Sequence, residues 1–175
     1  MKRKEPILET ERLILRPLTV EDAEDVFAWA SDERVTEYMA YPTHKSISDT
    51  KQWLAYAQQD EKEYNWGFVL KKENKLIGSG SIGPDNYMEG YWGFGYNIHY
   101  DFWNKGYTTE AMRAIIAYAH DELGVERFCA CHAVGNPASG RVMEKCGLQF
   151  HHNGKYSKAD KSKIFDAKYY TMKYK

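Results

Sequence analysis

Hydrophobic and polar positions along the chain change repeatedly between two periods. Alternation with a period of two predicts strands, whereas apolar residues spaced three and four apart predict amphipathic helices. Strands are predicted over residues 11–16, 66–70, 76–82, 90–98, 128–134, 149–156 and 165–174. Helices are predicted over residues 20–30, 33–39, 49–61, 107–123 and 136–146. This irregular alternation of strands and helices predicts a mixed α/β layer fold. Because the sequence contains no repeat, linker or low-complexity tract, we expect residues 1–175 to form a single domain.

The predicted elements are organised around residues 96–119, where a strand meets a polar turn and the turn opens into a helix. The turn consists of Asn104, Lys105 and Gly106, and the helix begins at Tyr107. The first turn of a helix carries unpaired N–H groups and the positive end of the helix dipole, so it can bind an anion such as phosphate. Gly106 permits close approach of the backbone, and Lys105 adds a cation. From the residues alone, an ordinary strand–helix turn remains the alternative, since neither a P-loop nor a dinucleotide fingerprint is present.

Composition and charge narrow the classes of function. The chain has 175 residues, with 24 basic and 25 acidic side chains and a formal net charge of −1. This balance gives no electrostatic reason to expect a nucleic-acid partner. No apolar run approaches the ~20 residues that span a bilayer, and the N-terminus lacks the apolar core of a secretory signal. We therefore expect a cytoplasmic protein without a membrane partner.

The three cysteines are interpreted as reduced thiols, which agrees with a cytoplasmic location. A metal site built on Cys129, Cys131 and His132 is the alternative. No second pair of ligands with metal spacing accompanies them in the sequence, so we predict no metal.

Two segments carry a resemblance to a known family. The string DFWNKGYTTEA, residues 101–111, resembles the pyrophosphate-binding segment of the GNAT acetyltransferases, and in particular of their RimJ/RimL-like branch. The string NPASGRVMEKCGLQF, residues 136–150, is similar to the second signature of that branch, and ETERLILRPLTVEDAEDVFAW near the N-terminus also fits. The resemblance implies the GNAT fold: a central, mostly antiparallel twisted sheet with a splayed strand pair, flanked by helices.

The resemblance also implies acetyl-CoA as cosubstrate and assigns its contacts. The pyrophosphate would lie on the backbone of Asn104, Lys105, Gly106, Tyr107, Thr108 and Thr109. Trp103 occupies the first position of the motif, and Thr108 stands where the family has Gly or Ala. The pantetheine would pair with the strand edge at Ile98. Asn136 matches a residue that contacts the pantetheine arm, and Ser139 matches a serine proposed to protonate the departing thiolate. From the residues alone, Asn136 is a helix N-cap and Ser139 an exposed serine of the first turn.

The motifs do not assign a general base. Many family members carry a glutamate on the strand before the pyrophosphate loop, and this sequence has Gly93 there. Glu89 precedes that position in the chain, and His99 and Asp101 follow it. His99 is our candidate, because an unperturbed imidazole titrates near neutral pH. A structural histidine at the end of the strand, with a chain of water molecules as the base, is the alternative.

Together these implications predict an acetyl-CoA-dependent N-acetyltransferase. The acceptor would be a primary amine, either a protein N-terminal α-amine or a small amine, acetylated directly in a ternary complex. Tyr38, Met39 and Tyr41 would line the acceptor pocket or, alternatively, pack against helix ends. A catalytically weak acyl-CoA-binding or sensing module is the competing interpretation, because of Gly93. The sequence leaves open whether the chain forms a homodimer.

Overall fold

The computed structural model describes residues 5–174. Residues 1–4 lie outside the described residues. They belong to the N-terminal segment that was predicted to lack a secretory signal. The strands are β1 Leu8–Glu9, β2 Leu13–Pro17, β3 Tyr64–Leu70, β4 Lys75–Pro84, β5 Trp92–Ile98, β6 Arg127–Ala133, β7 Gln149–Ser157 and β8 Ile164–Lys173. The α-helices are α1 Ala23–Ala30, α2 Glu33–Thr36, α3 Ile47–Gln59, α4 Tyr107–Leu123 and α5 Pro137–Lys145. Among the described residues, no helix has the length and apolar character needed to cross a membrane.

The strands form one sheet in the order β1-β2-β3-β4-β5-β6-β8-β7. All neighbouring pairs are antiparallel except β5 and β6, which run parallel. β5 and β6 each contain seven residues but pair only at Trp92 with Phe128 and at Gly93 with Cys129. The sheet therefore opens after Gly93. This confirms the prediction of a mixed, mostly antiparallel sheet with a splayed strand pair.

Hydrophobic clusters lie on both faces of the sheet. On one face, Met112 and Ile115 of α4 pack with Phe68 of β3 and Phe128 of β6. On the other face, a second cluster joins residues of α1, α3 and the sheet: Leu18, Val26, Trp29, Leu54, Val69 and Leu76. Neighbouring residues of a strand point to opposite faces, which is why Phe68 and Val69 belong to different clusters. The two layers hold β5 in place while leaving its outer edge beyond Gly93 unpaired.

Two of the helix boundaries that differ from the prediction have a clear cause in the structure. The helix predicted over residues 49–61 starts earlier, at Ile47, and is capped by Ser46. Ser46 Oγ accepts from the Asp49 N–H at 3.3 Å, and the Asp49 carboxylate accepts from the Ser46 N–H at 3.0 Å. This reciprocal pair is a capping box.

α2 is also shorter than the predicted 33–39, because it ends at Thr36. Beyond it, Lys158 in the β7–β8 turn donates to the carbonyls of Thr36 at 2.9 Å and Met39 at 2.8 Å. The Tyr156 hydroxyl donates to the Tyr38 carbonyl at 2.6 Å. Contacts from more than a hundred positions away thus hold residues 37–41 outside the helix.

Candidate active site

The N-terminus of α4 begins at a glycine with a left-handed backbone. Gly106 has φ 79° and ψ 5° and is the N-cap residue of the helix. Asn104, two residues earlier, also has a positive φ of 58°. The first N–H groups of α4, at Tyr107, Thr108 and Thr109, have no acceptor within the helix. The backbone of this turn is therefore arranged as the sequence predicted for binding an anion, and the role of these residues stays a proposal.

Two residues near the N-terminus of the chain hold this turn in place. Arg12 Nε donates to Glu110 Oε2 at 2.7 Å, and the Arg12 N–H donates to Oε1 at 2.8 Å. Thr10 Oγ1 donates to the same Oε1 at 2.6 Å. Arg12 also donates through Nη1 to the Lys105 carbonyl at 2.9 Å, and its guanidinium lies 4.3 Å from the centre of the Tyr107 ring. The sequence alone gives no signal for either partner of Glu110.

The environment of Glu110 favours its charged form. Burial raises the pKa of this carboxyl, but the hydrogen bonds from Thr10 and Arg12 outweigh burial and bring the pKa below its ordinary value of 4.5. A carboxyl whose pKa falls on folding stabilises the fold above the ordinary pKa. This stabilisation is lost as pH falls through the lowered value.

We expect Glu110→Gln to lower the free energy of unfolding at pH 7 by about 1–3 kcal/mol, because Arg12 loses a charged acceptor. Below about pH 4.5 the difference between variant and wild type should shrink, because the carboxyl of the unfolded wild type then takes up a proton that the folded carboxylate binds only at its lowered pKa. Urea denaturation at several pH values measures both effects. Glu122→Gln, an exposed change on the same helix, should stay within about 0.5 kcal/mol. An equal loss of stability in both variants would contradict a stabilising interaction between Arg12 and Glu110.

The turn before α4 is held by its own side chains. Trp103 is 38% exposed, and its indole Nε1 donates to the Ile98 carbonyl at 2.9 Å. Lys105 Nζ donates to the Asp101 carbonyl at 2.9 Å, so its ammonium group is directed back to the turn. Trp103, Ile98 and Asn104 line the groove described below. Lys105 does not belong to the lining that the described residues form.

His99 caps the short turn Tyr100–Phe102. Its Nδ1 accepts from the Asp101 N–H at 3.1 Å, and its ring lies edge-on to Phe102, with centroids 5.8 Å apart. His99 is not among the described residues that line the groove. The geometry therefore gives the catalytic assignment of His99 no support and favours the structural alternative.

The unpaired edge of β5 presents a defined set of backbone groups to the opening. The His99 N–H donates to the Ile77 carbonyl of β4 at 2.8 Å. Backbone groups of successive strand residues point to opposite sides, so those of Tyr96 and Ile98 face away from β4 and toward the opening. Because the Trp103 indole already occupies the Ile98 carbonyl, the Ile98 N–H is the group left for a ligand. The pantetheine contact at Ile98 stays a prediction.

A pair of hydroxyl groups bridges the opening. The Tyr96 hydroxyl of β5 donates to the Ser139 carbonyl of α5 at 2.8 Å, and the two side-chain hydroxyl oxygens also lie 2.8 Å apart. With the phenol proton on the carbonyl, Ser139 Oγ is the donor to the phenol oxygen. Burial raises the pKa of Tyr96, and the hydrogen bond to Ser139 only partly offsets that rise. Sequence reasoning found Ser139 but not the phenol, which stands 43 positions earlier.

Asn136 precedes α5 and lines the groove together with Ser139. It occupies the N-cap position, but its side chain makes no capping hydrogen bond. The Asn136 side chain therefore does not cap α5 with a hydrogen bond, although the residues alone suggested an N-cap. Its predicted contact with a pantetheine arm stays a prediction.

The groove that runs through the opening has a volume of about 2170 Å³. Pockets for a single drug-sized ligand are roughly 300–1,000 Å³, so two ligands fit here side by side. Tyr38 and Met39 line it, as one of the two interpretations of the sequence predicted. Tyr41 instead packs between His44 and Trp53, with ring centroids 5.5 and 6.1 Å away. Among the described residues, Tyr41 is not part of the groove lining, which corrects its assignment to the acceptor pocket.

Charged side chains are unevenly distributed around the groove. From residues 34–63 and 81–88, the lining contains the carboxylates Glu37, Asp60, Glu61, Glu63 and Asp85 and the cations Arg34 and Lys62. From residues 96–109 and 135–145, the described lining contains the cations Arg141 and Lys145 and no carboxylate. An anionic ligand is favoured beside α4 and α5, and a cationic ligand beside the first two segments.

The cysteines are free thiols in a largely apolar environment. Burial raises the pKa of Cys129 to about 12 and that of Cys146 to about 11. Along β6, Cys129 and Cys131 point to one face and His132 to the other. Within residues 5–174 no cluster of three or more potential ligands is placed to hold a metal ion.

Comparisons of the sequence and of the structure with known proteins indicate the same family. The family described as Acetyltransferase (GNAT) domain matches residues 12–149. The uncharacterized N-acetyltransferase YoaA of Bacillus subtilis (strain 168) is 33% identical over 147 residues, which cover 82% of this chain and 83% of YoaA. The GNAT-family acetyltransferase structure from Bacillus anthracis has a TM-score of 0.83 at 26% identity, covering 96% of this chain and 98% of that one. A spermidine N-acetyltransferase from Vibrio cholerae, solved with CoA and spermine, shares the fold, with a TM-score of 0.78 at 18% identity and 93% and 95% of the two chains covered.

The open sheet with a groove beside a helix N-terminus is accompanied by a match to an acetyltransferase family, which makes the chain an enzyme of the transferase class. The chain belongs to the GNAT acetyltransferase family, because the family match spans residues 12–149 and YoaA exceeds 30% identity over most of both chains. It is accordingly an N-acetyltransferase, as the sequence predicted.

Proposed function

We propose that the chain transfers the acetyl group of acetyl-CoA to a primary amine, in a ternary complex with both substrates, and that it belongs to the RimJ/RimL-like branch. The observation that carries this proposal is the groove, which passes through the open sheet and has room for two ligands. The two motif segments of that branch form the turn at Gly106 and the helix α5, which flank the groove.

The pyrophosphate of acetyl-CoA would be held by the backbone from Asn104 to Thr109. Gly106 supports this assignment, since its left-handed backbone orients the first N–H groups of α4 outward. Arg141 and Lys145 add positive charge to the same part of the lining. The pantetheine amides would pair with the backbone of Tyr96 and Ile98 as an added strand does with a sheet edge.

The acceptor would be a cationic amine. Five carboxylates and two cations line the groove from residues 34–63 and 81–88, and this charge balance attracts an ammonium group. Both a protein N-terminal α-amine and a small amine satisfy this requirement. The same carboxylates disfavour an acidic acceptor.

Acetylation of a cationic amine removes two protons from the acceptor nitrogen, one before the attack and one from the adduct, and supplies one proton to the leaving sulfur. The nitrogen lone pair forms the C–N bond with the thioester carbonyl carbon, and the C–S bond breaks with its electron pair on sulfur. Ser139 Oγ would turn its proton from the Tyr96 oxygen to that sulfur, and the Tyr96 hydroxyl would pass its own proton to the serine oxygen and recover one from water. A thiolate with a pKa near ~8.5 is already a tolerable leaving group, so this donation accelerates the reaction without being indispensable.

CoA release from acetyl-CoA, measured over a panel of amines, tests the proposed function. The panel contains peptides with varied N-termini, polyamines and aminoglycosides, and acetyl-CoA binding is measured in parallel. Release that depends on one class of amine is expected. Binding of acetyl-CoA without release with any amine would contradict the proposal and favour the sensing module, whose support is Gly93.

A further inference from the structure

An acidic side chain occupies the space beside Gly93. Asp85 directly follows β4 and faces Gly93, the last residue of β5 that pairs with β6 before the sheet opens. A Cβ atom added at Gly93 would lie 2.8 Å from Asp85 Oδ2 and 3.6 Å from its Cγ. The Asp85 carboxylate therefore fills the volume that a side chain of residue 93 would use, at the point where β5 and β6 separate.

The two oxygens of this carboxylate have different environments. Oδ1 accepts from the N–H groups of Tyr87 at 2.8 Å and Met88 at 2.7 Å. The Asp85 N–H donates to the Tyr91 carbonyl at 2.9 Å, which closes the loop between β4 and β5. Oδ2 is the oxygen directed to Gly93 and so to the groove, which Asp85 and Gly93 both line. The loop thus binds Oδ1 through two backbone N–H groups and leaves Oδ2 facing the groove.

The neighbouring residue on β6, Cys129, is a weak hydrogen-bond donor to the Asp85 carboxylate. Cys129 pairs with Gly93, and its thiol is close enough to Asp85 for a hydrogen bond. Burial, followed by the charge of Asp85, raises the pKa of this thiol to about 12, so at neutral pH the thiol is a neutral S–H group. A neutral thiol is only a weak donor, so it competes little with a stronger donor for the carboxylate at the apex of the opening.

We propose that Asp85 is the catalytic carboxylate that accepts the proton of the acceptor amine, a role that rests on the function proposed above. Oδ2 takes one proton from the cationic acceptor nitrogen, and the freed lone pair forms the C–N bond with the thioester carbonyl carbon. The nitrogen of the adduct then loses its second proton to water as the C–S bond breaks. The proton on Asp85 then passes to bulk water, since the side chain is only half-buried. Gly93 is required beside it, because any side chain there would displace the carboxylate.

Asp85→Asn is the main test, because an amide oxygen can still accept from Tyr87 and Met88 while the Oδ2 position loses its basicity. We expect turnover to fall on the order of 100-fold or more, the usual contribution of a general base. Acetyl-CoA affinity and the melting temperature should stay near wild type. Glu89→Gln, which removes an exposed carboxylate from the same loop, is the matched control and should leave turnover unchanged.

A carboxylate exchange distinguishes a catalytic from a structural role. Gly93→Glu alone should be poorly active, because its side chain meets Asp85. The double variant Asp85→Ala with Gly93→Glu removes that clash and places a carboxylate in the same volume, with no positive φ at residue 93 to strain it. We expect its turnover to exceed that of Asp85→Ala at least tenfold.

Near-normal turnover in Asp85→Asn, or a double variant no more active than Asp85→Ala, would overturn this assignment. Either result leaves the acetyltransferase itself established, because wild-type protein releases CoA in the same assay. Absence of release from wild type with every amine would instead overturn the proposed function.

Discussion

Replacing Gly106 by aspartate is expected to lower acetyl-CoA affinity by about 100-fold or more. The residue adopts φ 79°, where an L side chain costs about 1–2 kcal/mol, and its Cβ would lie 3.4 Å from Arg12 Nη2. The new carboxylate would also stand beside the pyrophosphate, where two like charges ~4 Å apart repel by about 4 kcal/mol at an effective dielectric constant of 20. About 2.7 kcal/mol suffices for a hundredfold change in affinity. Titration calorimetry with acetyl-CoA measures the loss.

Gly124→Asp is a matched control for this experiment. Gly124 ends the same helix with a φ of 70°, and a Cβ there would meet nothing within 4 Å. Both variants carry a similar backbone strain and the same new charge, and the helix dipole makes that charge less favourable at Gly124, so the control should lose at least as much stability. Only the change at Gly106 should reduce affinity. Equal affinities in the two variants would show that the pyrophosphate does not lie at the start of α4.

Local signals in the sequence predicted the elements and the turn that opens α4. Gly106 and Gly124 bracket the apolar stripe of that helix, and both have the positive φ that their positions suggested. The splayed strand pair came from the resemblance of the two motif segments, because no local pattern states where parallel strands separate. The fold and the cofactor-side turn were therefore largely predictable.

The contacts that complete the site join residues far apart in the chain, and no periodicity encodes them. Glu110 meets Arg12 over 98 positions, and Tyr96 meets Ser139 over 43. The carboxylate of Asp85 reaches the space at Gly93 only because β4 and β5 form a hairpin whose loop folds back on itself. Sequence reasoning looked for a base in register at residue 93 and then along the chain toward His99. The structure instead brings a carboxylate from the preceding loop.

Replacing Ser139 by alanine is expected to lower kcat by about 100-fold, the lower end of the range for a general acid, while acetyl-CoA affinity changes little. The serine hydroxyl is the only group of that side chain that contacts Tyr96, and alanine keeps the helix propensity of α5. Single-turnover kinetics with a saturating acceptor separate this chemical step from binding and product release. An unaltered rate would remove Ser139 from the mechanism.

Tyr96→Phe should reduce kcat as well, because Ser139 then loses the partner that orients its hydroxyl. If the two hydroxyls act as one unit, the double variant should be about as slow as Ser139→Ala alone, a non-additivity that a double-mutant cycle detects. Tyr170→Phe is the matched control, because its hydroxyl contacts Glu144 of α5 at 3.5 Å but the residue is outside the described groove lining. Fully additive losses would mean that Tyr96 positions α5 without sharing in the proton transfer. These outcomes can be separated because Tyr96 contacts both the carbonyl and the hydroxyl of Ser139, and only the contact between the two hydroxyl groups involves the proton that would go to the leaving sulfur.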